Sequence, residues 1–235
     1  LNLFTEKPVL GVTEVSEYFG LYKSTVHNIL STLKAMEYLE QDEETGKYRL
    51  GIQIFNLSKA LGDTYSITKI AGPYMQELSN YTGERCYLAV PYRQEVLYLD
   101  AMYPADSIEL MRSILGERAQ MHCTGLGKAM LANMGEREIS DYLEHHKLEA
   151  FTENSIIDKK QFREELLRTK QRGYALDDME HEFGIKCIAM PVFDRTKNVY
   201  AAISISGMAN HFTDANIAEW AMLLKKYIRK IESRL

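Results

Sequence analysis

The spacing of apolar residues divides the chain into two textures. Up to about residue 36 they recur at helical intervals. In VTEVSEYFGL, Thr13 is placed to cap a short helix on which Val15, Tyr18 and Phe19 share a side, and Gly20 ends it. A second helix is predicted over about 23–36, with Val26, Ile29, Leu30, Leu33 and Met36 on one face. Ser24, His27, Asn28, Ser31 and Ala35 occupy the other. YLEQDEETGKYRL then predicts two short strands around Glu44, Thr45, Gly46 and Lys47, where Gly46 suits the left-handed turn position. A connecting helix is expected over 52–60, broken by Gly62 and Asp63, and another over about 67–81, closed by Gly83.

Beyond that point strand-like runs rich in β-branched and aromatic residues dominate: RCYLAVPY, EVLYLDAMY, SIELMRSI, GYALDDM, IKCIAMPVFD and VYAAISISG. Helical stretches near 125–134, 136–145, 158–172 and 213–234 are interleaved with them. Adjacent strands joined by tight links favour a mostly antiparallel sheet with helices on its faces, so the fold class is α+β. In the last helix Ile217, Ala221, Leu224, Ile228 and Ile231 form the apolar side, and Lys225, Lys226, Arg229 and Lys230 a solvated one.

Composition permits this. The 235 residues are 46% hydrophobic and 26% charged, enough for one or two domains with a proper core. No apolar run is long enough to span a bilayer and none forms a leader, and the few, widely spaced cysteines favour a reduced, cytoplasmic protein. The opening LNLFTEKP lacks a methionine, so a few native residues and part of the first helix are expected to be missing. Cys86, Cys123 and Cys187 are odd in number and widely spaced, which indicates neither a disulfide framework nor a zinc knuckle.

A net charge of −5 argues against non-specific coating of nucleic acid, but local binding depends on where charge sits. No acid occurs over 18–36, where Lys23, His27 and Lys34 lie. Helix, short turn, polar-faced helix and hairpin are the order of a winged helix-turn-helix. On that assignment Lys23, Ser24, Thr25, His27, Asn28 and Ser31 face the major groove, and Lys47 and Arg49 reach the flanking backbone. The bland alternative is a solvated helix on an ordinary α+β domain.

These residues also carry a family resemblance. GLYKSTVHNILSTLKAMEYLEQD followed by KYRLG resembles the DNA-binding half of IclR-type transcriptional regulators. MHCTGLGKAMLA, GYALDDMEHEFGIKCIAMPVFD and AAISISG resemble blocks of that family's effector-binding half, in the same order. The resemblance implies a winged helix-turn-helix over 1–51, a linker helix region over 52–69 and a GAF-like effector domain over 70–235. It implies a bacterial regulator, most often a repressor, working as a homodimer or a dimer of dimers on operator DNA, with a small organic acid as effector. Three departures stand out: Tyr22 where the family often has proline, Asn28 where arginine is frequent, and Met208 after Gly207 where proline is usual. The first two bear on which operator is read.

The candidate effector residues have local explanations too. HCTGLGKAML is not a phosphate loop, since His122 and Ala129 stand where glycine and Ser/Thr are needed. It reads as a helix start capped by Thr124, with N–H groups at Gly125 and Leu126 that favour an anion; taken alone, close packing by Gly125 and Gly127 is the stronger explanation. Ser204 and Ser206 share a strand face and need partners, from a ligand or from the protein. Asp177 alone suits a turn cap, and Cys187 alone a small core residue. The resemblance places Gly125, Leu126, Asp177, Cys187, Ser204 and Ser206 around a ligand's carboxylate or keto end, with Met111 and Ile185 in the apolar wall. No metal or cofactor is expected, because His145, His146 and His181 sit in polar stretches that suit solvent exposure. His122 and Cys123, as strand neighbours, would point apart. Two rivals follow from the same residues. One is an enzyme on small acids, with Cys123 or Cys187 as nucleophile and Asp177 as proton acceptor. The other is a cysteine-based redox sensor.

Overall fold

Short-range caps set the ends of the N-terminal helices. In the computed structural model, which describes residues 1–64, 66–106 and 114–235 (backbone only at 61–64 and 66), the first compact unit is Leu1–Tyr65. It opens with α1 (Leu3–Glu6) and α2 (Val12–Phe19). Thr13 does not cap α2. Gly11 is the N-cap, and its N–H donates to Glu14 Oε2 at 2.5 Å, because a glutamate three residues into a helix can reach back over the first turn. Gly20 ends α2 at φ 64, a left-handed position that costs glycine nothing.

Helix α3 (Lys23–Ala35) buries Val26 and Leu30, with Leu33 at the margin. Ile29 and Met36, expected on that face, are exposed. At about 100° per residue they fall at the edge of the arc centred on Val26, Leu30 and Leu33. The wing pairs β1 (Leu39–Gln41) with β2 (Tyr48–Leu50), Leu39 opposite Leu50, around Gly46 at φ 68. Leu10 bridges to Tyr48, and Leu3, Phe4, Val15, Val26, Leu30 and Leu39 close one small core around that ring. α4 (Gln53–Thr64) runs through Gly62 and Asp63 instead of breaking there. One glycine costs a helix only about 1 kcal/mol, too little to end it.

The second unit, Ser66–Leu235, contains α5 (Ser66–Thr82), β3 (Arg85–Tyr92), β4 (Glu95–Met102), β5 (Arg118–Gln120), α6 (Gly125–Leu131) and α7 (Glu136–His145). α8 (Lys159–Arg172), β6 (Ala175–Asp178), β7 (Ile185–Phe193), β8 (Val199–Met208) and α9 (Asp214–Glu232) follow. The strand order is β5-β4-β3-β8-β7-β6, with every neighbouring pair antiparallel. Strand β5 was not legible in the pattern. The strand expected in SIELMRSI lies, apart from Ile114, outside the described residues.

Period-two alternation gives the sheet two faces. Cys86, Leu88, Ile188, Ile203 and Ile205 pack against Met75 and Leu78 of α5 and Trp220, Leu224 and Ile228 of α9. Ala89, Ala189 and Ala202 face α6 and α8, where Leu126, Met130, Phe162 and Leu166 meet them. The result is three layers, with helices on both sides. Small residues on the second face let α6 lie close to the sheet.

All seven residues of α6 are buried, and Gly127 sits against the chain that precedes the helix. A Cβ there would stand 2.3 Å from the backbone of Met121. Gly127→Ala is therefore expected to destabilise the second unit by about 3 kcal/mol, because backbone cannot move aside as a side-chain end can. A urea denaturation midpoint equal to the parent's would show that α6 can shift.

Candidate nucleic-acid interface and effector cavity

The first turns of α3 are open. Lys23, Ser24, Thr25, His27 and Asn28 are exposed, and Ser31 is half-buried. Tyr22, the N-cap, is extended, makes no side-chain cap bond and is 86% exposed. The first N–H groups of α3 thus lack a side-chain cap, at the helix end that carries positive partial charge. On the wing, Lys47 pairs with Glu14 at 3.3 Å and Arg49 with Glu40 at 2.9 Å. Both pairs are solvent-exposed, so exchanging either carboxylate for a phosphate costs little.

The cavity of the second unit is built by strand register. Asp177 lies opposite Cys187, Cys187 opposite Ser206, and Ser206 opposite Arg85, a single row across β6, β7, β8 and β3. The next row on that face is Ala175, Ala189, Ser204 and Tyr87. Above them α6 approaches until a Cβ on Gly125 would meet Cys187 Sγ at 2.8 Å. Thr124 caps α6, its Oγ1 accepting from Gly127 N–H at 3.2 Å. The space enclosed is about 370 Å³, a size typical of small-molecule sites. Gly125, Leu126, Asp177, Ile185, Cys187, Ser204 and Ser206 all line it, while Met111 lies outside the described residues.

Buried charge dominates its electrostatics. Lys128 is completely buried, donates to the Leu176 carbonyl at 2.5 Å and is ion-paired with Glu180. Burial raises the Glu180 carboxyl and Lys128 opposes it. Asp177 accepts from the Glu180 N–H at 2.8 Å, yet burial pushes its carboxyl up to about 7 against the pull of that bond and of Lys128. Ser204 Oγ is buried, and among the described residues nothing satisfies it by hydrogen-bond geometry, although the Cys187 thiol lies near enough to be influenced by it. Such a hydroxyl costs about 1–3 kcal/mol and calls for an explanation.

Several lining residues escaped the sequence reading. Arg85 and Tyr87 carried a usable signal, since they alternate with Cys86 and Leu88 on the opposite face of β3. Tyr98, Arg118 and His181 carried none. His181, expected at the surface, is half-buried, with Nδ1 3.6 Å from Cys123 Sγ and its ring 5.5 Å from that of Phe151. The turn after β6, folded back onto Asp177, brings it there. His146 is also half-buried, stacked on Tyr142 at 4.7 Å, whereas His145 is exposed. Among the described residues no group of three or more His, Cys, Asp or Glu side chains could hold a metal. His122 and Cys123 occupy a turn and not a strand, but their side chains still diverge, His122 Nε2 lying 2.9 Å from the Glu149 carbonyl.

The thiols are poor nucleophiles. Burial pushes Cys123 up to about 12 with help from Asp177 and Glu180, and raises Cys187 as well. Burial also lowers His181, so Cys123 and His181 face each other as neutral groups. At pH 7 such a cysteine is held as the thiol, which is the unreactive form.

A winged helix followed along the chain by a separate α+β unit with a polar-floored cavity defines a DNA-binding transcriptional regulator with an effector-binding domain. The chain matches the IclR helix-turn-helix domain over residues 1–43 and the bacterial transcriptional regulator IclR C-terminal domain over residues 60–233. It belongs to the IclR family. It is 32% identical over 227 residues to the HTH-type transcriptional regulator XynR of Escherichia coli K12, covering 96% of this chain and 90% of that protein. It is 29% identical over 224 residues to the transcriptional repressor IclR of the same strain, covering 94% and 81%. Among solved structures, the Thermotoga maritima IclR superposes with a TM-score of 0.81 at 29% identity, over 97% of this chain and 91% of that one. An IclR homolog from Microbacterium hydrocarbonoxydans complexed with 4-hydroxybenzoate shares the fold, with a TM-score of 0.84 at 21% identity and the same coverage. Among the described residues no helix is long and apolar enough to cross a membrane.

The raised Asp177 carboxyl has a measurable consequence. A group that binds its proton more tightly folded than unfolded lends stability at low pH, which is lost as pH rises through the folded value. For Asp177 that window runs from 3.8 to about 7. Asp177→Asn is therefore expected to flatten part of the fall in urea midpoint between pH 5 and pH 8. Parallel pH profiles for parent and variant would contradict the shift.

Proposed function

We propose that this regulator is a repressor that binds operator DNA as a symmetric homodimer, with pairing of dimers as a further step. A small organic acid in the cavity controls it. The reading head is 1–51, the linker 52–69 and the sensor 70–235, and the protein works in the cytoplasm. Lys23, Ser24, Thr25, His27, Asn28 and Ser31 meet the major groove, and Lys47 and Arg49 the backbone beside it.

The observation that carries the effector half is the convergence of Asp177, Cys187, Ser204 and Ser206 with Gly125 and Leu126 on one cavity, over a buried serine hydroxyl whose nearest partner among the described residues is a thiol, short of good hydrogen-bond geometry. A ligand oxygen would satisfy that hydroxyl. The relative complexed with 4-hydroxybenzoate supports an organic acid, and the repressor among the relatives supports repression. The effector must bind the DNA-competent and incompetent arrangements unequally, since equal affinity shifts nothing.

Fluorescence anisotropy on DNA from upstream of the gene, against scrambled DNA at two salt concentrations, tests the reading. Selective binding that weakens with salt is expected, and Lys23→Ala should reduce the salt slope by about one counterion. In the same assay, a panel of small organic acids is expected to release the DNA. Ser204→Ala should blunt that response about tenfold, one hydrogen bond's worth, and leave ligand-free affinity unchanged. Loss of operator binding by Ser204→Ala without any acid present would reject the assignment of the cavity.

A further inference from the structure

The start of α3 carries an aromatic side chain that the N-terminal unit does not use. Tyr22 is the most exposed large hydrophobic residue among those described. Its hydroxyl has no hydrogen-bond partner there, and its ring no aromatic or cationic neighbour. The rings of Tyr18 and Phe19, earlier in the same stretch, do find each other, edge to face at 4.8 Å. The backbone under Tyr22 is held on both sides. Leu21 N–H donates to the Ser16 carbonyl at 3.1 Å, and the Ser16 hydroxyl donates back to the Leu21 carbonyl at 2.5 Å. Val26 N–H then donates to the Tyr22 carbonyl at 3.1 Å and closes the first turn of α3. At φ −63 the position would accept most residues, proline included. Neither the backbone nor the core therefore requires a tyrosine at this point.

The surroundings suit DNA. Tyr22 directly precedes Lys23, Ser24 and Thr25, all exposed, in a stretch without acids over 18–36. The N-terminal residues of a recognition helix are the ones that meet base edges in the major groove. A tyrosine on a fixed backbone has two torsions to lose, so ordering it on contact costs little. A phosphate would engage the hydroxyl and leave the ring in water. The apolar group that a base pair presents in the major groove is the thymine methyl. We infer that Tyr22 is a specificity-determining residue whose ring packs on the methyl group of a thymine, next to the bases met by Lys23, Ser24 and Thr25. This rests on the assignment of 1–51 as the reading head and adds a contact to it. The contact is apolar, so it selects sequence without contributing to the salt dependence of binding.

The test uses the full chain and a duplex that the parent protein enriches from a random-sequence pool. Each thymine of that duplex is replaced in turn by uracil, which removes the methyl group and nothing else, and affinity is read by fluorescence anisotropy. In the parent at least one replacement is expected to weaken binding about fourfold, the worth of one buried methylene. At that position Tyr22→Ala should bind the thymine and uracil duplexes equally, and Tyr22→Phe should keep the preference of the parent. The salt slopes of both variants should match the parent's, because no phosphate contact is lost. Each protein is compared with itself on two duplexes, so a general weakening of a variant cancels. Three results overturn the inference: uracil tolerated by the parent at every position, every methyl preference kept by Tyr22→Ala, or the preference lost in Tyr22→Phe. A ring covered by a second copy of the chain, or a hydroxyl placed on a phosphate, would give the second of these. Failure of the reading head looks different. The parent would then enrich no sequence and bind all duplexes alike, and the inference would fall with it.

Discussion

The register of β8 between β3 and β7 governs both the core and the cavity. Because side chains alternate along a strand, Ile203 and Ile205 point to the α5–α9 layer while Ala202, Ser204 and Ser206 point to α6. A slip of one residue would exchange the two sets, burying hydroxyls among isoleucines and stripping the cavity floor. The register is fixed by long pairings on both sides, from Ile185 opposite Met208 to Phe193 opposite Val199 on one and from Arg85 to Ala89 on the other. The apolar face therefore stabilises the fold and, by the same geometry, aligns Asp177, Cys187, Ser206 and Arg85.

Polar groups in and beside that cavity are costly, and the structure offsets part of the cost locally. Lys128 is taken fully out of water on a helix packed against the sheet, where Glu180 and the Leu176 carbonyl receive it. Removing either partner of such a pair is far more damaging than the pair is stabilising, so it acts as a constraint on the turn after β6. That turn carries Asp177 at one end and His181 at the other. Two buried oxygens there are left without a partner of good hydrogen-bond geometry among the described residues, Glu180 Oε2 and Ser204 Oγ, and the Ser204 hydroxyl has only the Cys187 thiol close by. Incompletely offset desolvation at a cavity floor is the pattern expected where a ligand completes the hydrogen bonding.

The N-terminal unit is organised by different physics. Its core is a handful of residues around Tyr48, and its elements are short enough that caps and turns decide where they stop. Lys23, Ser24, Thr25, His27 and Asn28 on the first turns of α3 stay exposed, and the wing cations Lys47 and Arg49 pair with exposed carboxylates. Both features keep the surface exchangeable for phosphate and base edges. A tightly paired surface would have to be broken before it could bind.

Much of this was legible in the sequence, because periodicity, glycine placement and capping chemistry are local properties. The two textures of the chain, the helix pair with its wing, and most strands and helices of the α+β unit follow from them. Errors fell where competing local preferences were close in energy or, for His181, where a residue distant in sequence decided the outcome. Glu14 reached back to cap α2 ahead of Thr13, Ile29 and Met36 missed the buried arc, α4 continued through Gly62, and a folded-back turn drew His181 inward. Gly125, Asp177, Cys187 and Ser204 could be singled out one by one, but each had an ordinary local explanation. Only strand pairing decided that they share one cavity and that Arg85 stands at its far end. Register joins residues as much as 121 positions apart, as with Arg85 and Ser206, and such pairing depends on the whole sheet, which no window of sequence contains.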